Sequence, residues 1–219
     1  METDLTVFLE FYGLPGCGKS TISHIVADEL RKYGKNVDEP TFDTDHKYCE
    51  SIRKVIKLAK LVRYAFVHPQ KYIVLKKLIQ DNGHRGIDVL SQTSNIAHKL
   101  WVYEHGKADY VIFDEGLTQS AISMVKDGRN CSGNEQTLYD FCKGCLIKKF
   151  YIKVTVETAL ERILNRDKHD SRIEKILDET GRKNAMKAFE KQCEVINANL
   201  TINELDMRDS IKIVLQNIT

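Results

Sequence analysis

The segment from Gly13 to Ser20, GLPGCGKS, combines glycines, a lysine and a hydroxyl at the spacing of a phosphate-binding loop. Glycine lets successive backbone N–H groups turn toward one anion without interference from a Cβ, and a following helix N-terminus adds a favourable dipole. In such a loop the lysine reaches the β- and γ-phosphates of a nucleotide and the hydroxyl ligates Mg²⁺. The sequence therefore predicts a nucleotide-phosphate site at the following residues: Gly13, Gly16, Cys17, Gly18, Lys19, Ser20 and Thr21.

A second candidate site follows the apolar run 110–113, where the chain continues with Asp114 and Glu115. Ligands of open parallel sheets collect at the carboxyl ends of the strands, so we expect Asp114 to face the metal together with Ser20. Glu115 has two interpretations. It orients or deprotonates the group that attacks the phosphate, or it is an ordinary turn residue.

Hydrophobic periodicity indicates the elements that would position these residues. Short β-rich runs predict strands at 7–12, 37–42, 110–113, 150–154 and 200–205. Apolar residues at helical spacing predict helices at 22–30, 55–66, 87–101, 160–164, 173–195 and 211–218, with further helix near 78–79. The alternation favours an α/β fold with a doubly wound parallel sheet between two layers of helices.

Composition narrows the class of protein and its partners. The 219 residues favour one domain, and 33 Lys+Arg against 31 Asp+Glu give a net charge of only +2, without the basic block or tail of a nucleic-acid-binding protein. The N-terminus carries acidic residues, Glu10 interrupts its apolar run, and no stretch of 18 uncharged apolar residues follows. Six scattered cysteines suggest reduced thiols. We therefore expect a cytoplasmic chain with no membrane partner.

In their order along the chain, the motifs resemble those of the P-loop small-molecule kinases, in particular the thymidylate kinase and deoxynucleoside kinase branch. GLPGCGKST resembles their phosphate loop, and Glu39-Pro40 resembles the EP signature near their acceptor site. FDEG, without their arginine, stands where they carry DR or ERS, and the segment 151–166 is similar to their strand and arginine helix. The resemblance implies a P-loop NTPase fold over residues 1–219, phosphoryl transfer from ATP, an acceptor region at about 43–105 and a helical lid at about 157–175.

By the same resemblance, Glu39 lies where the acceptor binds. A carboxylate there would accept the hydroxyl proton as the γ-phosphoryl group is transferred, although alignment and electrostatics supply much of the rate enhancement. Asp43 and Asp45 compete with Glu39 for this role, and an ordinary strand-end residue before a proline is the other interpretation of Glu39.

Arg162 and Arg166 stand four residues apart on a predicted helix, so their guanidinium groups share one face. A triphosphate nearby would offer both of them oxygen partners, and its transition state carries charge that needs neutralising. They are therefore candidates for lid residues that close over the transferring group. The alternative is a solvated helix face paired with Glu161 or Asp167.

Cys142 and Cys145 form a single C-x-x-C pair with Cys131 nearby. A structural zinc site normally takes four ligands, and no second pair follows at the spacing of a zinc finger, so a reduced thiol pair is the preferred interpretation and zinc the alternative.

Together these observations predict an ATP-dependent, Mg²⁺-assisted kinase for a small-molecule acceptor, with nucleosides and nucleotides first. Lys19 binds phosphate, Ser20 and Asp114 organise the metal, Arg162 and Arg166 close the lid, and Glu39 or Glu115 handles the acceptor. The acceptor could also be another metabolite, a polynucleotide end or a protein. Two other functions stay open: a P-loop NTPase that switches a partner, and a nucleotide-binding module without turnover. A homodimeric assembly also stays open.

Overall fold

A computed structural model describes residues 5–47, 49–125, 130–165, 173, 176, 178–203 and 207–218. The strands are β1 (Val7–Gly13), β2 (Val37–Asp38), β3 (Tyr110–Phe113), β4 (Leu146–Ile152) and β5 (Leu200–Ile202). The helices between and after them are α1 (Lys19–Lys32), α2 (Pro40–Lys47), α3 (Glu50–Val67), α4 (Pro69–Asp81), α5 (Ile87–His105), α6 (Leu117–Met124), α7 (Ser132–Asp140), α8 (Val156–Leu164), α9 (Glu179–Val195) and α10 (Met207–Ile218).

The strands form one parallel sheet in the order β2-β3-β1-β4-β5. The first strand in sequence therefore lies in the middle, and strand order reverses on either side of it. Ligands of such sheets bind beyond the carboxyl ends of the strands at this switch point. The loop after β1 and the loop after β3 both open at that edge, because β1 and β3 are neighbours in register from Val7 opposite Tyr110.

Apolar side chains that alternate along β1 build a core on each face of the sheet. Leu9 and Phe11 face a core that includes residues of α1, α8, α9 and α10, while Phe8 faces a second core with α3 to α7. Both faces are covered, as expected for a parallel sheet. The three-layer α/β/α fold predicted from the alternation of elements is confirmed.

Several element boundaries differ from the sequence prediction. The predicted strand 37–42 ends at Asp38, because Pro40 occupies the first turn of α2 and Asp43 N donates to Glu39 O. The predicted helix 173–195 begins at Glu179, where the Asp178 side chain caps it by accepting from Gly181 N at 2.6 Å.

Three helices lie outside the predicted helices: α2, which starts inside the predicted strand 37–42, and α6 and α7. The short helix α6 reads LTQSAISM and is buried on all sides, so its polar residues hide the helical period. The helix α7 reads SGNEQTLYD and is mostly polar. Neither sequence carries the apolar stripe on which a helix prediction depends.

No helix in the described part of the chain is long and apolar enough to cross a membrane. All six cysteines are free thiols, and four of them, Cys17, Cys131, Cys142 and Cys193, are buried.

Candidate active site

The predicted phosphate loop connects β1 to α1, and two of its glycines lie close to the backbone of β4 and α8. Gly13 has a φ of +150°, and a Cβ there would lie 2.4 Å from the carbonyl oxygen of Ile152. Gly16 has a φ of +85°, and its Cβ would lie 2.5 Å from the carbonyl oxygen of Ala159. These two glycines therefore let the loop pack against β4 and α8 in addition to leaving its amides accessible.

The rest of the loop leads into the first turn of α1. Gly18 is the N-cap residue in the left-handed conformation, and the space beside its Cα is open, as an anion-binding helix start requires. Cys17 is buried beneath the loop, whereas Ser20 and Thr21 are exposed at its surface.

Lys19 lies back across its own loop. Its ammonium donates to the carbonyl oxygens of Gly13 at 3.2 Å and Leu14 at 3.0 Å, and the side chain is only 6% exposed. The Nζ atom is therefore held above the backbone that the motif predicts to cradle phosphate. A bound polyphosphate would supply stronger, charge-assisted partners than these carbonyl groups.

Ser20 and Asp114 meet, although 94 residues separate them in the sequence. The Ser20 hydroxyl donates to Asp114 Oδ2 at 2.7 Å, and the Thr41 hydroxyl of α2 donates to Asp114 Oδ1 at 2.6 Å. A hydroxyl and a carboxylate beside a phosphate loop are the oxygen donors that Mg²⁺ prefers. The residues present therefore fit the predicted metal, and Ser20 and Asp114 would hold it.

The sequence prediction missed two side chains that support the loop. Gln119 of α6 binds the loop directly, and Glu10 of β1 binds the start of α6. Gln119 is buried and binds both backbone groups of Gly13, because Gly13 N donates to its Oε1 at 3.1 Å and its Nε2 donates to Gly13 O at 3.2 Å. Glu10 is fully buried and accepts from the N–H groups of Leu117 at 2.7 Å and Thr118 at 2.9 Å. Glu10 thereby caps the N-terminus of α6 from β1.

Two tyrosine hydroxyl groups also bind the carboxylate of Glu10. The phenols of Tyr103 and Tyr139 both donate to its carboxylate, the latter at 2.7 Å. Burial and then the charge of Glu10 raise the pKa of Tyr139 well above its usual value, so both phenols stay protonated donors. The only sequence signal for this network is an acidic residue inside an apolar strand.

Glu39 faces α1 in the structure. Its carboxylate lies 2.8 Å from Arg31 Nη1 and 3.1 Å from His24 Nδ1, and its side chain is 3% exposed. Of its two competitors, Asp43 pairs with Lys47 at 3.0 Å, and the side chain of Asp45 lies outside the described residues. The assignment of Glu39 as a base stays a prediction.

Glu115 is exposed at the carboxyl end of β3, next to the half-buried Asp114. Behind both residues lies Lys99, a buried lysine of α5 whose ammonium donates to Gly116 O at 3.1 Å and Ser120 Oγ at 2.8 Å. Burial lowers the pKa of Lys99, and the negative charges of Glu115, Glu10 and Asp114 oppose that shift. The amino group of Lys99 thus lies on the interior side of the turn that carries Asp114 and Glu115.

Arg162 is exposed on α8, the same helix whose Ala159 carbonyl contacts Gly16 of the phosphate loop. The predicted lid arginine is thus carried by a helix that touches the loop. Its partner Arg166 and most of the predicted lid lie outside the described residues.

Cys142 is buried and Cys145 half-buried after α7. Burial raises the pKa of both thiols, and Cys145 Sγ donates to the carbonyl of Tyr103 at 3.5 Å. Among the described residues, no three metal-binding side chains of His, Cys, Asp or Glu come together.

Comparisons with known proteins bear on the fold. No protein-family model and no curated protein matches the chain. Among solved structures, a deoxyadenosine kinase from M. mycoides with bound dATP is 19% identical, with a TM-score of 0.50 over 96% of this chain and 98% of that one. A shikimate kinase from Acinetobacter baumannii in complex with shikimate is 18% identical, with a TM-score of 0.50 over 99% of this chain and 94% of that one.

A further shikimate kinase, from Bacteroides thetaiotaomicron, is 13% identical with a TM-score of 0.50 and covers 98% of both chains. The sheet, the phosphate loop and these similarities together show that the chain has the fold of the P-loop small-molecule kinases. At these identities the similarity concerns the fold, and the chemistry must be argued from the site.

Proposed function

We propose that the chain is an ATP-dependent, Mg²⁺-assisted kinase that transfers the γ-phosphoryl group of ATP to a small-molecule acceptor. The observation that carries this proposal is the contact between Ser20 and Asp114 beside Lys19, since it joins the phosphate loop to the acidic turn after β3. This is the arrangement that P-loop enzymes need to bind a metal–nucleotide complex.

In the proposed reaction, an acceptor oxygen forms a bond to the γ-phosphorus while the bond from that phosphorus to the β,γ-bridging oxygen breaks. ADP leaves with the electron pair, and the acceptor proton passes to a carboxylate. Glu115 is the better candidate for that carboxylate because it is exposed beside Asp114, whereas Glu39 already pairs with Arg31 and His24. Mg²⁺, when bound, neutralises charge on the β- and γ-phosphate oxygens.

The acceptor region is proposed to lie between α2, α3 and α5, beyond the ends of β2 and β3. The named acceptors of the structurally similar kinases are a deoxynucleoside and shikimate, so nucleosides, nucleotides and hydroxy acids are the first acceptors to test. The alternative is an NTPase that switches a partner, and the buried Lys99 behind Asp114, which donates to Gly116 O, favours a kinase because a buried cation at the carboxyl end of β3 could also serve an anionic acceptor.

The test is transfer of label from γ-labelled ATP with Mg²⁺ present. Matched acceptor pairs are deoxyadenosine with its 5′-monophosphate and shikimate with its methyl ester, and a 5′-hydroxyl oligonucleotide represents polynucleotide ends. We expect transfer that depends on an acceptor. Release of inorganic phosphate at one rate with and without acceptors would instead support the NTPase.

The matched variants for this assay are Lys19→Ala and Lys35→Ala. Lys19→Ala should lower turnover on the order of 10²-fold or more, because its ammonium would meet the charge on the transferring group. Lys35 is exposed in the turn after α1, so its loss should leave the rate unchanged. Similar rates for the two variants would overturn the assignment of the phosphate loop.

A further inference from the structure

Four basic side chains meet between α3 and α5. Lys60 Nζ lies 2.9 Å from Nδ1 of His98, and the charges of Lys57 and Lys99 act on the same imidazole. Lys60 also interacts with the carboxylate of Asp38, the last residue of β2. Lys99 binds the turn after β3. The cluster therefore lies between the carboxyl ends of β2 and β3, where a parallel sheet places its ligands.

Two of the three lysines in this cluster have carboxylates as opposite charges. Lys99 has Glu115, Glu10 and Asp114 as opposite charges, and Lys60 has Asp38. Lys57 is half-buried and makes no ion pair or hydrogen bond within the part of the chain that the structure describes. An ammonium that pairs with none of the described residues can bind an anion through charge-assisted hydrogen bonds.

His98 contributes a donor rather than a charge. Burial, followed by the charges of Lys60, Lys57 and Lys99, lowers the pKa of His98 to about 3, so the ring is neutral near pH 7. The ammonium of Lys60 can only donate, so Nδ1 accepts and the proton of the neutral ring is on Nε2. Nε2 is buried and has no hydrogen-bond partner among the described residues. An oxygen atom of an anion would satisfy it.

We propose, given the kinase function above, that the acceptor carries an anionic group, a phosphate or a carboxylate, that Lys57 and His98 Nε2–H bind this group, and that Lys60 holds the imidazole in place through Nδ1. A neutral acceptor would leave the charge of Lys57 and the Nε2–H group of His98 without partners. Burial lowers the pKa of Lys60, so an entering anion also stabilises its charged form.

The first test measures anion binding directly. Inorganic phosphate is titrated by calorimetry into the protein saturated with ADP, which occupies the phosphate loop. Lys57→Gln and the double variant Lys57→Gln, Lys60→Gln should bind phosphate on the order of tenfold to a hundredfold more weakly than the unmodified chain, the range expected for charged hydrogen bonds. Lys77→Gln, an exposed lysine of α4, is the matched control and should bind as the unmodified chain does.

The single variant keeps the test decisive if the double variant does not fold, because its substitution breaks no ion pair or hydrogen bond of Lys57 with the residues that the structure describes. Equal phosphate binding by the unmodified chain and Lys57→Gln would overturn the proposal.

The second test uses the matched acceptor pairs of the kinase assay. We expect kcat/KM for the charged member of a pair to exceed that for the neutral member by at least about tenfold. Preference for the monophosphate over deoxyadenosine would indicate a phosphate group, and preference for shikimate over its methyl ester a carboxylate. Transfer to neutral members only would overturn the anionic acceptor and leave the kinase function standing. ATP hydrolysis that ignores every acceptor would instead remove the kinase function itself.

Discussion

Asp114 accepts hydroxyl hydrogen bonds from two sides, and only one of them belongs to the predicted metal site. Ser20 comes from the phosphate loop, whereas Thr41 comes from α2 and holds the carboxylate in place. Substituting Asp114 and substituting Thr41 should therefore have different effects, since only the first removes an oxygen ligand of the metal.

Asp114→Asn should lower kcat/KM on the order of 10²-fold and raise the Mg²⁺ concentration needed for half-maximal rate, because an amide replaces the negative charge aimed at the metal. Thr41→Val, the control, should change the rate by much less and leave the Mg²⁺ requirement nearly unchanged. The measurement is initial rate against Mg²⁺ concentration for the three proteins. An unaltered requirement in Asp114→Asn would mean that Asp114 is only a turn residue.

The phosphate-loop motif predicts the position of its own residues. The residues that hold the loop in place, such as Gln119, could not be predicted from a local pattern. The spacing from Gly13 to Ser20 is one continuous pattern, so it carries its own geometry. Gln119 binds Gly13 across 106 positions of sequence, and its contact exists only because α6 follows the neighbouring strand. Glu39 shows the opposite failure: the motif residue is present, but the side chains of His24 and Arg31 that bind it lie on a face of α1 that the motif does not encode.

Among the elements, α6 depends most on a single distant residue. Its first N–H groups have no side-chain cap of their own and instead donate to Glu10 of β1. Because α6 also carries Gln119, the cap connects the middle strand to the backbone of the phosphate loop.

Glu10→Gln should destabilise the fold by about 2–4 kcal/mol, because an amide replaces one buried carboxylate oxygen with a donor that faces other donors. Chemical denaturation at pH 7 measures the free energy of unfolding. Glu194→Gln is the control: Glu194 is an exposed partner of Lys153 at 2.8 Å, and its substitution should cost less than about 1 kcal/mol. Equal effects of the two substitutions would show that the Glu10 network contributes no special stability.

The helix α8 ties the predicted lid to the phosphate loop through the contact between Ala159 and Gly16. If Arg162 acts on the transferring group, Arg162→Ala should reduce kcat by up to about 10³-fold while ATP affinity stays within a few-fold, because the lost interaction is strongest in the transition state. Steady-state kinetics and direct ATP titration measure the two quantities, and Lys212→Ala on α10 serves as the control. Loss of ATP affinity with unchanged kcat would make Arg162 a ground-state binding residue and contradict the lid role, and no change in either quantity would place it on an ordinary solvated face.

Strong periodicity and clear breakers allowed most elements to be predicted. The helix α3 ends at Val67, just before Pro69, and α5 starts at Ile87, because apolar spacing and turn residues agree there. Prediction failed where tertiary burial overrides local pattern. Thr118, Gln119 and Ser120 are all buried in α6, where their partners, and not their hydrophobicity, make burial favourable.

At the scale of the whole molecule, the second core lies between the parallel sheet and the helices α3–α5. His98 of α5 is buried on this side of the sheet, with 2% of its surface exposed. Its neighbours are the charges of Lys60, Lys57 and Lys99, with Asp38 beside Lys60. Burial, followed by the three lysines, lowers the pKa of this histidine to about 3 in the folded chain, against about 6.5 when unfolded. Between those values the unfolded chain binds the extra proton, so folding stability must fall as pH falls.

The free energy of unfolding should therefore decrease by up to about 1.4 kcal/mol for each pH unit below about 6.5, from His98 alone. His98→Gln keeps a polar side chain but cannot take up this proton, so its stability should change less between pH 6.5 and 5. Urea denaturation across this window gives both curves, and their difference isolates the histidine, because the carboxylates are common to both proteins. Parallel curves for the two proteins would show that His98 titrates normally in the folded chain and is not enclosed by the three lysines.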